Sequence, residues 1–225
     1  MQTRLYYITD RSQYPGDEPT RRLSLLSKIG EAARAGVDYI QLREKDLSTR
    51  DLEMLARDAV RAIREQQPPG SAGRQTATKL LINSRTDVAL ASGADGVHLR
   101  SDDVSPSDLR RIWTSYRAGN PAGEPLPTIT VSCHHSSDVL RAKSEGADFA
   151  VFAPVFEKKD APHVDPRGLP ALREACAAKI PVLALGGVTI ENAASCLAAG
   201  AAGIAGIRLF QETRIEVVVT ALRRI

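Results

Sequence analysis

"AGVDYIQLR", residues 35–43, is one of four related segments that decide the fold. The others are "SGADGVHLR" from residue 92, "EGADFAVFA" from residue 145 and "AGAAGIAGI" from residue 199. Each places a glycine just before an apolar run, and the glycines at 36, 93, 146 and 200 are spaced 57, 53 and 54 residues apart. A glycine after a helical stretch is typical of a helix C-terminus, so each segment predicts a helix-to-strand junction.

Four more apolar runs alternate with these junctions: "RLYYITD", "KLLINSR", "TITVSCH" and "PVLALGG". Together they predict eight strands beginning near residues 5, 38, 79, 95, 128, 148, 181 and 202. Between residues 84 and 93 there is room for only about two helical turns. This rhythm predicts an α/β fold, a single (βα)8 TIM barrel with eight parallel strands in one domain over residues 1–225. A doubly wound open sheet is the alternative.

Composition narrows the class of protein. The chain is 43% hydrophobic and 25% charged, and its net charge of +3 argues against a nucleic-acid partner. The sequence has no apolar run of the roughly 20 residues that a membrane span needs, and its N-terminus lacks the apolar core of a signal peptide. We therefore expect a cytoplasmic protein with no membrane contact. Cys133, Cys176 and Cys196 form neither a zinc signature nor an even disulfide framework, so we expect reduced, buried thiols. "QQPPGSAG" (66–73) and "NPAGEPLP" (120–127) are predicted to be surface insertions between a helix and the next strand.

Polar residues follow the predicted strands at their carboxyl ends, where TIM barrels form their sites. In strand order they are Thr9 and Asp10; Gln41, Arg43 and Lys45; Asn83 and Arg85; His98, Arg100, Asp102 and Asp103; Ser132 and His134; Gly186 and Gly187; and Gly206. Taken singly, each of these is more often a solvated charge, a packing residue or a turn. Their convergence on one face of a barrel is what indicates a site.

Alternation along the strands supports this placement. In "TITVSCHH" (128–135), Thr130, Ser132 and His134 are predicted to point inward, opposite Ile129, Val131 and Cys133. By the same rule Gln41, Arg43 and Lys45 share one side of the second strand, and Glu44 lies on the other.

The glycines at the ends of strands seven and eight indicate a phosphate site. Loops in this position commonly bind phosphate through backbone N–H groups. Gly186, Gly187 and Gly206 permit a close approach, and Thr189 is predicted to cap the helix that follows.

The chain resembles the thiamin phosphate synthase and TenI superfamily over nearly its whole length. The matching segments are "YYITDR", "GVDYIQLREKDLS", "LLINSRTDVALASGADGVHL", "VSCHHSSDVLRAKSEGADFAVFAPVF" and "PVLALGGVTIENAASCLAAGAAGIAGI". The resemblance implies a TIM-barrel enzyme of thiamin biosynthesis that binds a thiazole phosphate, a small phosphorylated heterocycle. The oligomeric state stays open between a monomer and a homodimer.

In the synthases of this superfamily, the thiazole nitrogen attacks an activated pyrimidine carbon, and pyrophosphate leaves with the help of Mg²⁺. The resemblance then assigns Gln41 to the pyrimidine, Asp103 to the metal, and the phosphate site to Gly186, Gly187 and Gly206. It assigns the pyrophosphate to Arg43, Lys45 and Asn83. Arg85, His98 and Ser132 are further candidates for substrate contacts because they follow strands three to five.

Two departures from the synthase pattern favour a different reaction. The synthases carry Asn-Asp where this chain has Asn83-Ser84, and the loop "FEKKDAPHVDPRG" keeps Lys158 and Lys159 but lacks the threonines of the phosphate clamp. Losing one carboxylate should weaken a Mg²⁺ site without abolishing it. TenI-like proteins share these losses, and there the resemblance implies a thiazole tautomerase that needs no metal and uses the residue matching His134 as general acid/base.

The sequence therefore favours a TenI-like tautomerase without a cofactor. The alternative is a Mg²⁺-dependent thiamin phosphate synthase, which the complete set Gln41, Arg43 and Lys45 suits. A third hypothesis is a regulator that binds the phosphorylated ligand without turnover. The roles of His135 and His163, and closure of residues 157–168 over the site, stay open.

Overall fold

A computed structural model describes residues 2–66, 77–117, 126–157 and 164–225. Eight parallel strands close into a barrel in chain order, which confirms the predicted fold class. They are β1 (Arg4–Ile8), β2 (Tyr39–Leu42), β3 (Lys79–Asn83), β4 (Gly96–Leu99), β5 (Thr128–Cys133), β6 (Phe149–Phe152), β7 (Val182–Ala184) and β8 (Gly203–Gly206). Each strand begins within one residue of its predicted start.

Helices separate the strands. In the described residues they are α1 (Glu18–Ala35), α2 (Thr49–Glu65), α3 (Thr86–Ser92), α4 (Pro106–Arg117), α5 (Ser136–Ser144), α6 (Gly168–Cys176), α7 (Ala193–Ala198), α8 (Arg208–Gln211) and α9 (Ile215–Arg223). The helix after β3 has only seven residues, as the short gap predicted.

The four repeated glycines lie at helix ends, as the sequence predicted. Gly36 and Gly93 are the C-caps of α1 and α3, with left-handed φ values of 84° and 71°. Gly146 and Gly200 have the same left-handed conformation just after α5 and α7. A residue without a Cβ ends each helix here, and the next buried strand begins within about three residues.

The strands are buried on both faces, as expected of a parallel sheet covered by helices. Every residue of β4, β6, β7 and β8 is buried. Tyr6 pairs with Tyr39 across β1 and β2, and Ser132 pairs with Val151 across β5 and β6.

The chain divides into two compact units. One comprises Met1–Gly96 and Gly206–Ile225, and the other comprises Val97–Ala205. A single domain over residues 1–225 stays a prediction.

Further predictions concern membrane spans, the cysteines and two surface insertions, and the described residues cover these only in part. No helix there is long and apolar enough to cross a membrane. The three cysteines are free, with Cys133 and Cys196 buried and Cys176 half-buried, and burial raises the pKa of the Cys133 thiol to about 12. Most of the predicted insertions 66–73 and 120–127 lies outside the described residues, as do Lys158, Lys159 and His163 of the candidate lid.

Candidate active site

The predicted site residues divide between the two units. The first unit holds those at the ends of β2, β3 and β8, which are Gln41, Arg43, Lys45, Asn83, Arg85 and Gly206. The second unit holds those at the ends of β4, β5 and β7, which are His98, Asp103, Ser132, His134, Gly186 and Gly187.

Gln41 and Asn83 meet at the ends of β2 and β3. The Gln41 amide donates a 2.8 Å hydrogen bond to Asn83 Oδ1, and Asn83 Nδ2 donates to Ser84 Oγ at 3.3 Å. Gln41 is 1% exposed, and its Oε1 has no hydrogen-bond partner in the described part of the chain. A buried acceptor left unpaired costs about 1–3 kcal/mol, so this oxygen is suited to a ligand's N–H group.

Arg43 and Lys45 lie in the loop after β2, because the strand ends at Leu42. Of the three residues that were predicted to share one side of this strand, only Gln41 therefore lies within the strand. The Arg43 side chain is half-buried and that of Lys45 is exposed, so both cations lie at the protein surface.

Arg85 is engaged by neighbouring residues. Its guanidinium donates to both carboxylate oxygens of Asp87 and, at 2.9 Å, to Thr49 Oγ1. The hydrogen bond to Asp87 raises the pKa of Arg85. A cation whose charge is balanced in this way is less suited to an anionic substrate than Arg43.

A buried ionic group that sequence reasoning missed lies beside the loop after β2. Arg11 and Glu44 are 4% and 5% exposed and pair at 3.1 Å. Burial raises the pKa of Glu44, and hydrogen bonds from Thr9 and Arg11 act in the opposite direction. The one signal in the sequence was an acidic residue between two cations in "REKD".

In the second unit, inward-pointing side chains of β4 and β5 meet as alternation predicted. The ring nitrogens of buried His98 lie 2.8 Å from Thr130 Oγ1 and 2.8 Å from Ser132 Oγ. Both nitrogens are thus occupied by hydroxyl groups, which makes His98 a support for Ser132.

His134 follows β5 and has an exposed side chain. Its Nδ1 lies 2.7 Å from the carbonyl oxygen of Ala153, and because a carbonyl only accepts, Nδ1 carries the proton. In the neutral ring Nε2 is then the acceptor. The backbone N–H groups of His134 and His135 both donate to Asp138, which fixes the turn into α5.

Asp103 is the predicted metal ligand. Its carboxylate accepts a 2.7 Å hydrogen bond from the Arg100 N–H and a 3.2 Å bond from the Arg100 guanidinium. No group of three or more His, Cys, Asp or Glu side chains in the described ranges could hold a metal ion. Asp103 is a single carboxylate paired with Arg100, so it could supply one ligand to a Mg²⁺ ion that takes the others from water and substrate phosphate.

The loop after β7 packs tightly on the chain after β6. Gly187 has a φ of +65°, and a Cβ there would lie 2.4 Å from the Glu157 carbonyl oxygen and 2.7 Å from Phe156 Cβ. Thr189 and Asn192 exchange hydrogen bonds of 2.8 and 3.4 Å. The Thr189 carbonyl also accepts from the Ala193 N–H at 3.1 Å, so Thr189 caps the turn that leads into α7, as predicted, although α7 itself begins at Ala193. In the first unit, a Cβ on Gly206 would lie 3.0 Å from Leu209 Cβ.

The model of the family described as thiamine monophosphate synthase matches residues 5–210. The chain belongs to this family. It is 38% identical over 205 residues to a thiamine-phosphate synthase of Methanoculleus marisnigri, covering 90% of the chain and 85% of that relative. A thiamine-phosphate synthase of Clostridium novyi is 35% identical over 208 residues, covering 91% and 88%.

A solved structure supports the same assignment. Thiamine phosphate pyrophosphorylase from Pyrococcus furiosus superposes with a TM-score of 0.74 at 29% identity, covering 98% of this chain and 94% of that one. The chain is accordingly an enzyme of thiamine biosynthesis. Because these relatives are named as synthases, the comparisons favour the thiamine-phosphate synthase alternative over the tautomerase that the sequence had favoured.

Proposed function

We propose that the chain is a thiamin phosphate synthase, which joins hydroxymethylpyrimidine diphosphate to thiazole phosphate and releases pyrophosphate. The observation that carries the proposal is the buried, unpaired Oε1 of Gln41. An aminopyrimidine offers N–H donors to such an acceptor. A tautomerase binds only the thiazole and does not need this acceptor, whereas a synthase must also bind the pyrimidine.

The residues of the loop after Gln41 are suited to bind a diphosphate group on that pyrimidine. Arg43 and Lys45 follow the strand end within four residues, and Asn83 holds the Gln41 amide. Arginine and lysine suit phosphate oxygens, arginine by its planar fork and lysine as a point charge. The three residues are those that the superfamily resemblance assigns to pyrophosphate.

The reaction is a substitution at the pyrimidine's exocyclic carbon. The thiazole nitrogen forms the new C–N bond with its lone pair, the C–O bond to the diphosphate breaks, and that electron pair leaves on pyrophosphate. Arg43 and Lys45 stabilise the negative charge that develops on the leaving group. Asp103 is the residue that would hold Mg²⁺, and the ion would supply positive charge to a diphosphate when bound.

The thiazole tautomerase is the second candidate, and the geometry of His134 favours it. A ring with Nδ1 fixed on a carbonyl and Nε2 available can accept a proton from a substrate and return it. The serine at position 84, where synthases carry a metal-binding aspartate, points the same way.

A paired assay separates the candidates. We expect pyrophosphate release from hydroxymethylpyrimidine diphosphate and thiazole phosphate in Mg²⁺, with loss of release in EDTA. Isomerisation of the thiazole carboxylate phosphate in EDTA, abolished by His134→Ala, without pyrophosphate release would overturn the synthase in favour of the tautomerase. Binding of thiazole phosphate with neither turnover would instead indicate the regulator.

A further inference from the structure

Side chains extend the pairing of β1 and β2 beyond the last strand residues. The final backbone bond runs from Thr9 N–H to the Gln41 carbonyl at 3.0 Å. At the next step the Arg43 N–H donates to Thr9 Oγ1 at 3.0 Å, so a hydroxyl takes the place of a backbone carbonyl. The backbone of Arg43 is thereby fixed although the strand has ended.

The same hydroxyl is connected to a buried carboxylate. Thr9 Oγ1 donates to Glu44 Oε1 at 2.6 Å, and the Arg11 N–H donates to Glu44 Oε2 at 3.0 Å. The Arg11 guanidinium adds a third donor at 3.1 Å. A buried carboxylate is retained when it is paired and hydrogen-bonded in this way.

Arg11 binds a second carboxylate in the same loop. Its NH1 and NH2 groups donate to the two oxygens of Asp46 at 2.7 and 2.8 Å, and its Nε donates to Glu18 of α1 at 2.9 Å. One guanidinium therefore holds the residues on both sides of Lys45. A bidentate fork fixes orientation as well as distance.

This arrangement separates acidic from basic side chains within "REKD". Arg43 and Lys45 alternate in sequence with Glu44 and Asp46, and a free carboxylate would compete with a phosphate for the neighbouring cations. Arg11 supplies the counter-charge for both carboxylates. The two carboxylates of the loop are therefore charge-compensated by Arg11.

We propose that Thr9, Arg11 and Glu44 form a clamp that positions Arg43 and Lys45 for the substrate's diphosphate and keeps the loop's carboxylates off these cations. This inference rests on the proposed function. The clamp residues are positioning residues, since they act through the backbone and charges of residues 43–46.

The test compares two arginines, each of which donates hydrogen bonds to groups at one end of β1 and β2. Arg11→Gln releases Glu44 and Asp46 at the strand ends. Arg223→Gln is the matched control, because Arg223 binds the Thr3 and Gly36 carbonyls and the Asp38 carboxylate at the strand starts. Inorganic pyrophosphate is the probe, titrated by calorimetry, and KM and kcat for the pyrimidine diphosphate are measured alongside.

For Arg11→Gln we expect about tenfold weaker pyrophosphate binding and a KM about tenfold higher, the size of one uncompensated charge near the surface. For Arg223→Gln both values should stay within about twofold of wild type. In the double variant Arg11→Gln with Glu44→Gln, removal of the released carboxylate should recover part of the affinity. Should Arg11→Gln fail to fold, Arg11→Lys keeps the charge but loses the fork and should show a smaller loss of the same kind.

Equal effects of the two arginine substitutions, or a double variant no better than Arg11→Gln, would overturn the clamp. Wild-type protein that fails to bind millimolar pyrophosphate would also overturn it. If wild-type protein binds pyrophosphate but releases none from the two substrates, the proposed synthase fails while the binding comparison still decides the clamp.

Discussion

Replacement of Gly187 by alanine tests whether the loop after β7 is shaped by its contact with the chain after β6. The added Cβ would lie 2.4 Å from the Glu157 carbonyl oxygen and 2.9 Å from the Phe156 carbonyl carbon, where 3.4 Å or more is ordinary contact. Two of the nearest atoms belong to the backbone, so no flexible side chain can move aside. The backbone itself must shift by about 1 Å to relieve the contact.

The free energy of unfolding should fall for two reasons. A left-handed conformation, here φ +65°, costs an alanine about 1 kcal/mol, and overpacking adds about 1–3 kcal/mol. Gly146→Ala is the control, since Gly146 has a φ of +83° with nothing within 4 Å of its added Cβ. The control should lose only the first contribution, so the two variants should differ by about 1–3 kcal/mol.

Chemical denaturation followed by tryptophan fluorescence measures this difference. Trp113, the one tryptophan of the chain, is buried in the same unit as both glycines. Circular dichroism must give the same transition for the two-state treatment to hold. Equal losses in Gly187→Ala and Gly146→Ala would refute the contact between the loops after β6 and β7.

Three further predictions concern metal binding, the loss of stability at acid pH, and His134. Ser84→Asp adds the carboxylate that the synthases carry, so the Mg²⁺ concentration for half-maximal pyrophosphate release should fall several-fold; an unchanged value would show that a carboxylate at position 84 does not bind the metal. Hydrogen bonds from Arg11 lower the pKa of both Asp46 and Glu18, so they stabilise the fold at neutral pH, and this contribution is lost as the pH falls below the ordinary carboxyl pKa of about 4. The free energy of unfolding, measured by denaturation at a series of pH values, should therefore fall less steeply with decreasing pH in Arg11→Gln than in wild type. Equal slopes would refute this role of Arg11. His134→Ala should keep pyrophosphate release within about tenfold of wild type, since the substitution reaction assigns no proton transfer to this ring; a loss of three orders of magnitude would show that the ring is catalytic.

The barrel could be predicted from sequence because its determinants are local. Buried apolar runs and helix-ending glycines recur at nearly constant spacing, and each strand begins within one residue of the predicted position. Alternation also correctly placed Thr130 and Ser132 on one side of β5, where both contact the ring of His98. Each of these signals depends on neighbours only a few residues apart in the chain.

Where the site departs from these predictions, the cause is non-local. Alternation along the chain gives no partner for Glu44, because Arg11, which binds its carboxylate, lies 33 residues earlier. The ion pair of Arg85 with Asp87 is local, but the position of a cation at a strand end does not show which acid the cation meets. The unpaired oxygen of Gln41 depends on packing that no sequence pattern records.

Direct titration of wild-type protein with hydroxymethylpyrimidine diphosphate tests the central claim, that the chain binds a pyrimidine as well as a thiazole. We predict saturable binding that weakens about tenfold in Gln41→Leu, which removes the buried acceptor, and that weakens similarly for wild type when the ligand lacks its amino group. Absence of binding at millimolar ligand, or binding that is indifferent to both changes, would contradict the account.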